Sequence, residues 1–467
     1  MKAEYEFTRR KACASQSTAY LSSPSHLLFL ISIFLCLWGT SGTRPWSLLA
    51  MLACTSAAFI ALLWRRKPDL SIFTKREISR NPFLISGLSI LAVTIVQFLN
   101  PDAIVYEYMG HQTVQNMAHV SFLPSGIIRD WGYNDTFYTL LGLLATWYFA
   151  LVSWTLLKEI NFANLTLRFF AANGFLMAIF AVVQKCLGLK SMYGIIPSEL
   201  AFYGSFFHQN SAGYMLILAC SANLACTYLA LRSRKIAQGI IWGIMSVSCA
   251  LSATFSGSAG VVLSVFLFAV FLCTSIIYIF LKRLLGPIKS LIATLILFTI
   301  ATSSTAFIFQ RQISDRINFE LTNVNASLAP RIRLNEYTLE LFKENPIFGI
   351  GGGTYAIRVQ AMLVNSGKLQ TLGQVRKISN AAHNDPFQYL CEYGLLGAAF
   401  IAYAVVLWIS AIFRRRTWLT YGNFLIILGL AIVGASSIVD IHLHIPAIMC
   451  AFVLLISLSV SNLCKQI

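Results

Sequence analysis

This chain reads as an all-α polytopic membrane protein, and three observations carry that reading. Of its 467 residues 57% are hydrophobic and only 11% charged, more apolar surface than a soluble core of this size could hide. The apolar residues come in runs near the ~20 residues needed to cross a bilayer. The basic residues behind the formal charge of +17 cluster in short links between those runs, which points to membrane topology and away from nucleic acid as a partner.

The runs lie near 26–40, 45–64, 82–99, 136–157, 165–187, 211–231, 236–254, 258–281, 288–308, 387–413, 418–438 and 443–463. That predicts about 12 transmembrane helices, with a long helical loop between the ninth and tenth. Lys2, Arg9, Arg10 and Lys11 precede the first run; Arg65, Arg66, Lys67, Lys158, Arg232, Arg234, Lys235, Lys282, Arg283, Arg414, Arg415 and Arg416 occupy alternate links. All fall on one side if the spans alternate, so that side is expected to be the cytoplasm and both termini to lie in it. The basic start also fits a signal peptide, but a second span follows at once and a signal anchor suffices. The expected organisation is a bundle of about nine spans over 1–308, an outward loop domain over 309–386 and closing spans over 387–467.

Cysteines lie almost wholly in or beside apolar runs, with no CxxC spacing, and read as small packing residues. Chemistry is expected in the outward connections at 100–135, 188–210, 309–386 and 439–445. The first holds Tyr106, Tyr108, His111, His119, Arg129, Asp130 and Trp131, a set suited to the lipid interface or to gripping a sugar or lipid head group. The second carries Lys190 and ends in His208-Gln209-Asn210-Ser211, where Asn210 or Ser211 can cap a helix and its free N–H groups can hold an anion.

In the long loop, Leu334, Tyr337 and Leu341 share a face with Ile332, Leu339 and Phe342 beside it, predicting an amphipathic helix that Asn345-Pro346 stops. Arg331 and Arg333 open it. A cation gains nothing from the helix dipole there, so Arg331 is read either as an addition to an anion site or as a solvated surface arginine. Gly349, Gly351, Gly352 and Gly353 follow without the spacing of a phosphate loop, and predict a tight turn with backbone close to another element. His383-Asn384-Asp385-Pro386 starts the next span, with Asp385 as cap and Pro386 in the first turn. His383 there suits a general base for a hydroxyl. Glu392, in the same span, is expected to face the bundle interior. In Asp440-Ile-His442-Leu-His444, alternation puts the two histidines on one side of an extended segment, but no third or fourth metal ligand is apparent.

At these residues a family resemblance emerges. Arg331 to Tyr355 with Pro346-Ile-Phe-Gly349-Ile-Gly351, then His383-Asn384, Glu392-Tyr-Gly394-Leu-Leu-Gly397 and Asp440 to Pro446 resemble, in order and spacing, the O-antigen ligase and O-antigen polymerase superfamily; Gly204 to Gly213 resembles an upstream segment. The likeness spans roughly 200–450. It implies a metal-independent, inverting glycosyltransferase with no cofactor, at the periplasmic face of a bacterial inner membrane. The donor it implies is a glycan on undecaprenyl pyrophosphate, and the acceptor a hydroxyl on lipid A core or a growing glycan. The resemblance gives His383 the acceptor hydroxyl and Arg331 the pyrophosphate; Arg333, Asn384, Glu392, His208, Asn210 and Lys190 are expected to bind substrate.

One departure stands out. Many members carry an arginine in a Thr-x-Ser-Arg-Gly-like segment; here it reads Thr254-Phe-Ser256-Gly257-Ser258. Lys185, Lys190 or Arg333 is then expected to supply the cation. The competing readings are a polymerase of the same superfamily, a non-catalytic partner in polysaccharide assembly, and a transporter of lipid-linked glycans. The transporter calls for charged spans and internal repeats, whereas these spans are nearly free of charge and show no half-to-half repeat.

Overall fold

The computed structural model describes residues 23–65, 79–108, 111–129, 135–197, 202–290, 292, 293, 296, 331–365, 381–461 and 463. Most of the expected ninth span, the N-terminal basic cluster, Asp130, Trp131 and the loop flanks at 309–330 and 366–380 lie outside them.

Apolar runs become helices where expected: α1 (Pro24–Trp38), α2 (Pro45–Arg65), α3 (Leu84–Leu99), α4 (Asp135–Leu156), α5 (Ile160–Cys186), α6 (Gln209–Arg232), α7 (Ile236–Phe255) and α8 (Ala259–Leu285). The long loop contributes α9 (331–344) and α10 (Tyr355–Asn365). Then come α11 (Asp385–Arg415), α12 (Tyr421–Ser436) and α13 (Pro446–Val460). Seven are long and apolar enough to cross a membrane; α1, α3, α12 and α13 are shorter, at 15 or 16 residues.

α6 is the axis of the bundle. Small side chains let its neighbours approach: a Cβ on Gly174 of α5 would overlap Ala219, and one on Gly429 of α12 would overlap Ser221. Close packing of small residues replaces the hydrophobic drive that lipid does not provide. Buried amides add polar ties, with Asn223 Nδ2 donating to Ala171 O at 3.1 Å and Asn423 Nδ2 to the carbonyls of Ser459 and Ser461 at 2.8 Å. Basic links gather at one end, where Ser461 Oγ donates to Leu157 O and Arg415 Nη1 to Val460 O. The connections read as outward meet at the other end, where Tyr193 donates to Trp38 O and Ser205 to Leu37 O.

The bundle is mostly helical as expected, with short strands added in two connections. The connection after α3 folds into β1 (Pro101–Tyr108), β2 (His111–Asn116) and β3 (Gly126–Arg129), in the order β2-β1-β3, with β1 antiparallel to β2 and parallel to β3. Ile104, Val105 and Tyr106 are β-branched or aromatic and pair well in a half-buried ribbon. A second ribbon joins β4 (Ser191–Met192) to β5 (Ile196–Pro197). Ala103, Val105 and Ile127 pack on Ile357 of α10, and Arg358 Nη2 meets both oxygens of Asp102 at 2.6 and 2.5 Å. This holds the loop helices over the bundle.

α9 forms as expected, but its buried face is Leu334, Tyr337, Thr338 and Leu341; Ile332 and Leu339 are exposed. With Ile350, Tyr355, Val359, Leu363 and Cys391 these residues make a small core of their own.

The glycine turn wedges into a break in α11. Gly394 has φ +64° and ψ −168°, which interrupts the helix. The loop supplies the missing hydrogen bonds: Ile350 N donates to Cys391 O (2.9 Å), Gly351 N to Glu392 O (3.1 Å), and Leu395 N and Leu396 N donate to Pro346 O and Ile347 O (2.9 and 3.1 Å). Backbone groups freed at membrane depth must find such partners. Gly349, at φ +76°, has no room for a Cβ against the Glu392 carbonyl. Gln97 of α3 clamps the junction, donating to Phe348 O and Glu392 O and accepting from Gly352 N at 3.0 Å.

Candidate active site

Three elements converge where α11 begins. Asn384, not Asp385, caps the helix: its Oδ1 accepts from Phe387 N at 3.1 Å, with Pro386 in the first turn. Asp385 points inward and is fully buried, accepting from His442 N (2.9 Å), Leu443 N (2.8 Å) and His444 Nδ1 (2.5 Å). These bonds fold the connection before α13 onto the start of α11.

His383 just precedes the cap with φ +53°, in the left-handed region that non-glycine residues rarely enter. Such backbone is held only where surrounding contacts impose it, and it clusters at functional sites. The contact here is Asp440. His383 Nδ1 lies 3.3 Å from Asp440 Oδ1, whose other oxygen accepts from Asn210 Nδ2 at 2.8 Å. Burial pushes the Asp440 carboxyl up, but the His383 and Ile441 hydrogen bonds and the His383 and Arg331 charges outweigh it and hold it below the usual carboxylate value. An ionised carboxylate only accepts, so His383 Nδ1 carries the proton and Nε2 is left to act as a base.

Arg331 opens α9 as expected, and its Nη1 donates to Val439 O at 2.9 Å, one residue before Asp440. His208 sits at the N-cap position of α6; burial lowers its pKa, against an opposing pull from Asp440, so it stays neutral at pH 7. Asn210 does not cap α6, as the sequence suggests it can, because its amide is committed to Asp440. His442 and His444 do not share one side either. A turn closed by Ile445 N on His442 O (3.1 Å) separates them. The His442 ring stacks on Tyr214 with centroids 4.0 Å apart, and the His444 ring stacks on Tyr389, also at 4.0 Å.

Lys185, at the end of α5, donates to Phe255 O at 2.5 Å; its ammonium and Gln209 Oε1 each lie 3.8 Å from where a Cβ on Gly257 would stand. A cation therefore occupies the neighbourhood of the missing arginine. Glu392 faces the interior as expected and is 1% exposed. Arg333 and Lys190 are exposed and, among the described residues, make no hydrogen bond or ion pair.

The structure thus brings His383, Arg331, His208 and Asn210 together around Asp440, while Asn384 works as a cap. Asp440 was the residue whose role the sequence hid. In Asp440-x-His442-x-His444 the metal pattern drew attention to the histidines, and the spacing gave no sign that the aspartate pairs with a histidine 57 positions earlier. No curated protein matches the chain. Residues 244–402, about a third of the chain, match the family model described as O-antigen ligase, and that stretch contains Arg331, His383 and Glu392.

Proposed function

We propose that this protein is an inner-membrane glycosyltransferase of the O-antigen ligase type. It moves a glycan from undecaprenyl pyrophosphate to a hydroxyl on lipid A core or on a growing polysaccharide, at the periplasmic face. The carrying observation is the His383–Asp440 pair with Arg331 anchored on the adjacent carbonyl.

In this reading His383 Nε2 takes the proton of the acceptor hydroxyl as its oxygen bonds to the anomeric carbon of the donor sugar. Asp440 holds the ring orientation and stabilises the imidazolium that forms. The bond from the anomeric carbon to the pyrophosphate oxygen breaks, and the electron pair leaves with undecaprenyl pyrophosphate. Arg331 is the main cation for that leaving group and Lys185 the second. Direct displacement on the face opposite the leaving group inverts the anomeric centre. No step calls for a metal ion.

The test is transfer by purified, reconstituted protein from undecaprenyl-pyrophosphate glycan with EDTA present, comparing wild type with His383→Ala and Arg331→Ala. Transfer that collapses in both variants is the expected result, and the product tells ligase from polymerase. Undiminished transfer by His383→Ala would remove the mechanism; wild type inactive with every acceptor tried would favour a non-catalytic partner.

A further inference from the structure

A cavity with several polar side chains in its wall lies beside the 439–445 connection. Its volume is about 550 Å³, within the roughly 300–1,000 Å³ typical of small-molecule sites. Arg44, Tyr138, Thr139, Gln388, Glu392 and His444 line it. His383, Arg331 and Asp440 do not, so it is separate from the proposed transfer centre, although Ile441 and Leu443 of the same connection form part of its wall.

Two buried polar atoms in its lining have no hydrogen-bond partner. Glu392 Oε1 accepts from Gln388 Nε2 at 3.0 Å, and Glu392 Oε2 has none. His444 Nδ1 is taken by Asp385, and His444 Nε2 has none. Nε2 and Oε2 stand 3.7 Å apart, too far for a hydrogen bond. Burial opposes charge on His444, but Asp385 and Glu392 outweigh it and raise its pKa to about 9. At neutral pH Nε2 is therefore a donor and Oε2 an acceptor. Leaving both unused in a buried site is costly.

The missing group must donate and accept from one atom, which a hydroxyl does. An anion would be repelled by Glu392 and Asp385; a cation would be repelled by His444 and Arg44. A neutral polyol suits both this balance and the mixture of tyrosine faces with hydrogen-bonding groups. We propose that this cavity is a carbohydrate-binding site in which one sugar hydroxyl donates to Glu392 Oε2 and accepts from His444 Nε2. The assignment rests on the glycan-transfer reading of the neighbouring site, to which it adds a place that holds a sugar ring.

The experiment measures binding alone. Full-length protein in phosphatidylethanolamine–phosphatidylglycerol nanodiscs, free of glycoside detergent, is titrated with glucose, galactose, mannose, rhamnose, N-acetylglucosamine and N-acetylgalactosamine. Saturation-transfer difference NMR reports occupancy. At least one sugar is expected to bind wild type. Glu392→Gln, which removes the charge and keeps the shape, should weaken it about tenfold. Thr139→Trp, which fills the cavity without touching the pair, should abolish binding at an unchanged melting temperature. No binding of any of the six sugars to folded wild type, or binding unaltered in both variants, overturns the proposal. A chain with no transferase activity can pass this test and an active transferase can fail it, so the two readings fall separately.

Discussion

Two histidine–carboxylate pairs join the start of α11 to the connection before α13, and they run in opposite directions. His383 reaches across to Asp440 at 3.3 Å, while Asp385 reaches back to His444 at 2.5 Å. The His383 side chain remains 28% exposed and its backbone is left-handed; Asp385 is wholly buried and His444 18% exposed. The residue types are the same, but access and spare capacity differ. An imidazole with one nitrogen open to solvent can exchange a proton with a hydroxyl, whereas a buried carboxylate that also accepts from His442 N and Leu443 N holds backbone in place.

The largest expected effects split along that line. His383→Ala should lower transfer by roughly 10²–10⁴-fold, the usual range for a general base, with a smaller fall in melting temperature than His444→Ala because Asp440 keeps its hydrogen bonds from Asn210 and Ile441 N. His444→Ala should do the reverse in stability, leaving Asp385 and Glu392 as unpaired buried acids at a cost of about 3–5 kcal/mol. Thermal melts beside transfer assays check this; a His383→Ala protein that melts early beside a stable His444→Ala protein would invert the assignment.

Next comes the break in α11. Gly394→Ala places a Cβ against the Ile347 carbonyl in left-handed backbone, at roughly 1–3 kcal/mol for the strain alone. It should expel the 346–351 wedge and depress both stability and transfer. Gln97→Leu, which strands the Gly352 N–H and weakens the clamp on two carbonyls, should cost about 1–3 kcal/mol. Hydrogen exchange at Ile350, Gly351 and Leu395 reports whether the wedge has left.

The pH profiles of the two pairs should also diverge. His444 has a folded pKa of about 9 against 6.5 unperturbed. Its contribution is complete below 6.5 and is lost as pH rises through about 9. Asp440 is held below its ordinary value of 3.8. Its contribution is complete above that value and is lost as pH falls through the depressed folded one. Melting temperature measured from pH 6 to 9.5 should fall in wild type and stay flat in that window for His444→Gln.

The smallest effect is expected at Lys185. If its ammonium stands in for the missing arginine, Lys185→Ala slows transfer by about tenfold and Lys185→Arg preserves it, since a guanidinium also binds pyrophosphate. Equal rates for all three proteins would make Lys185 a bystander bonded to Phe255 O.

Hydropathy alone located eleven apolar helices among the described residues, seven of them long enough to cross a membrane, because crossing lipid demands an apolar run that has a visible length. The stop at Asn345-Pro346 and the tight glycine turn were legible because proline and glycine act locally. The sheet after α3 was less legible: aromatics near a membrane surface serve the interface and a strand equally well. Capping was misread at Asp385 and Asn210 because a carboxylate or amide can serve a helix end or a distant partner. Only the packing around it decides.

By itself, then, the sequence determined the class of apolar helical bundle and the positions of its described helices, and it singled out Arg331 and His383 as candidates. Tertiary structure alone decided that Asp440 belongs to His383 and Asp385 to His444, that the loop glycines close a break in α11, and that Lys185 stands beside Gly257. The reason is physical. Helix formation and lipid burial depend on neighbours a few positions apart, so they leave a periodic trace. A hydrogen bond between residues 57 positions apart leaves none, because it depends on how helices pack and not on what lies between them in the chain.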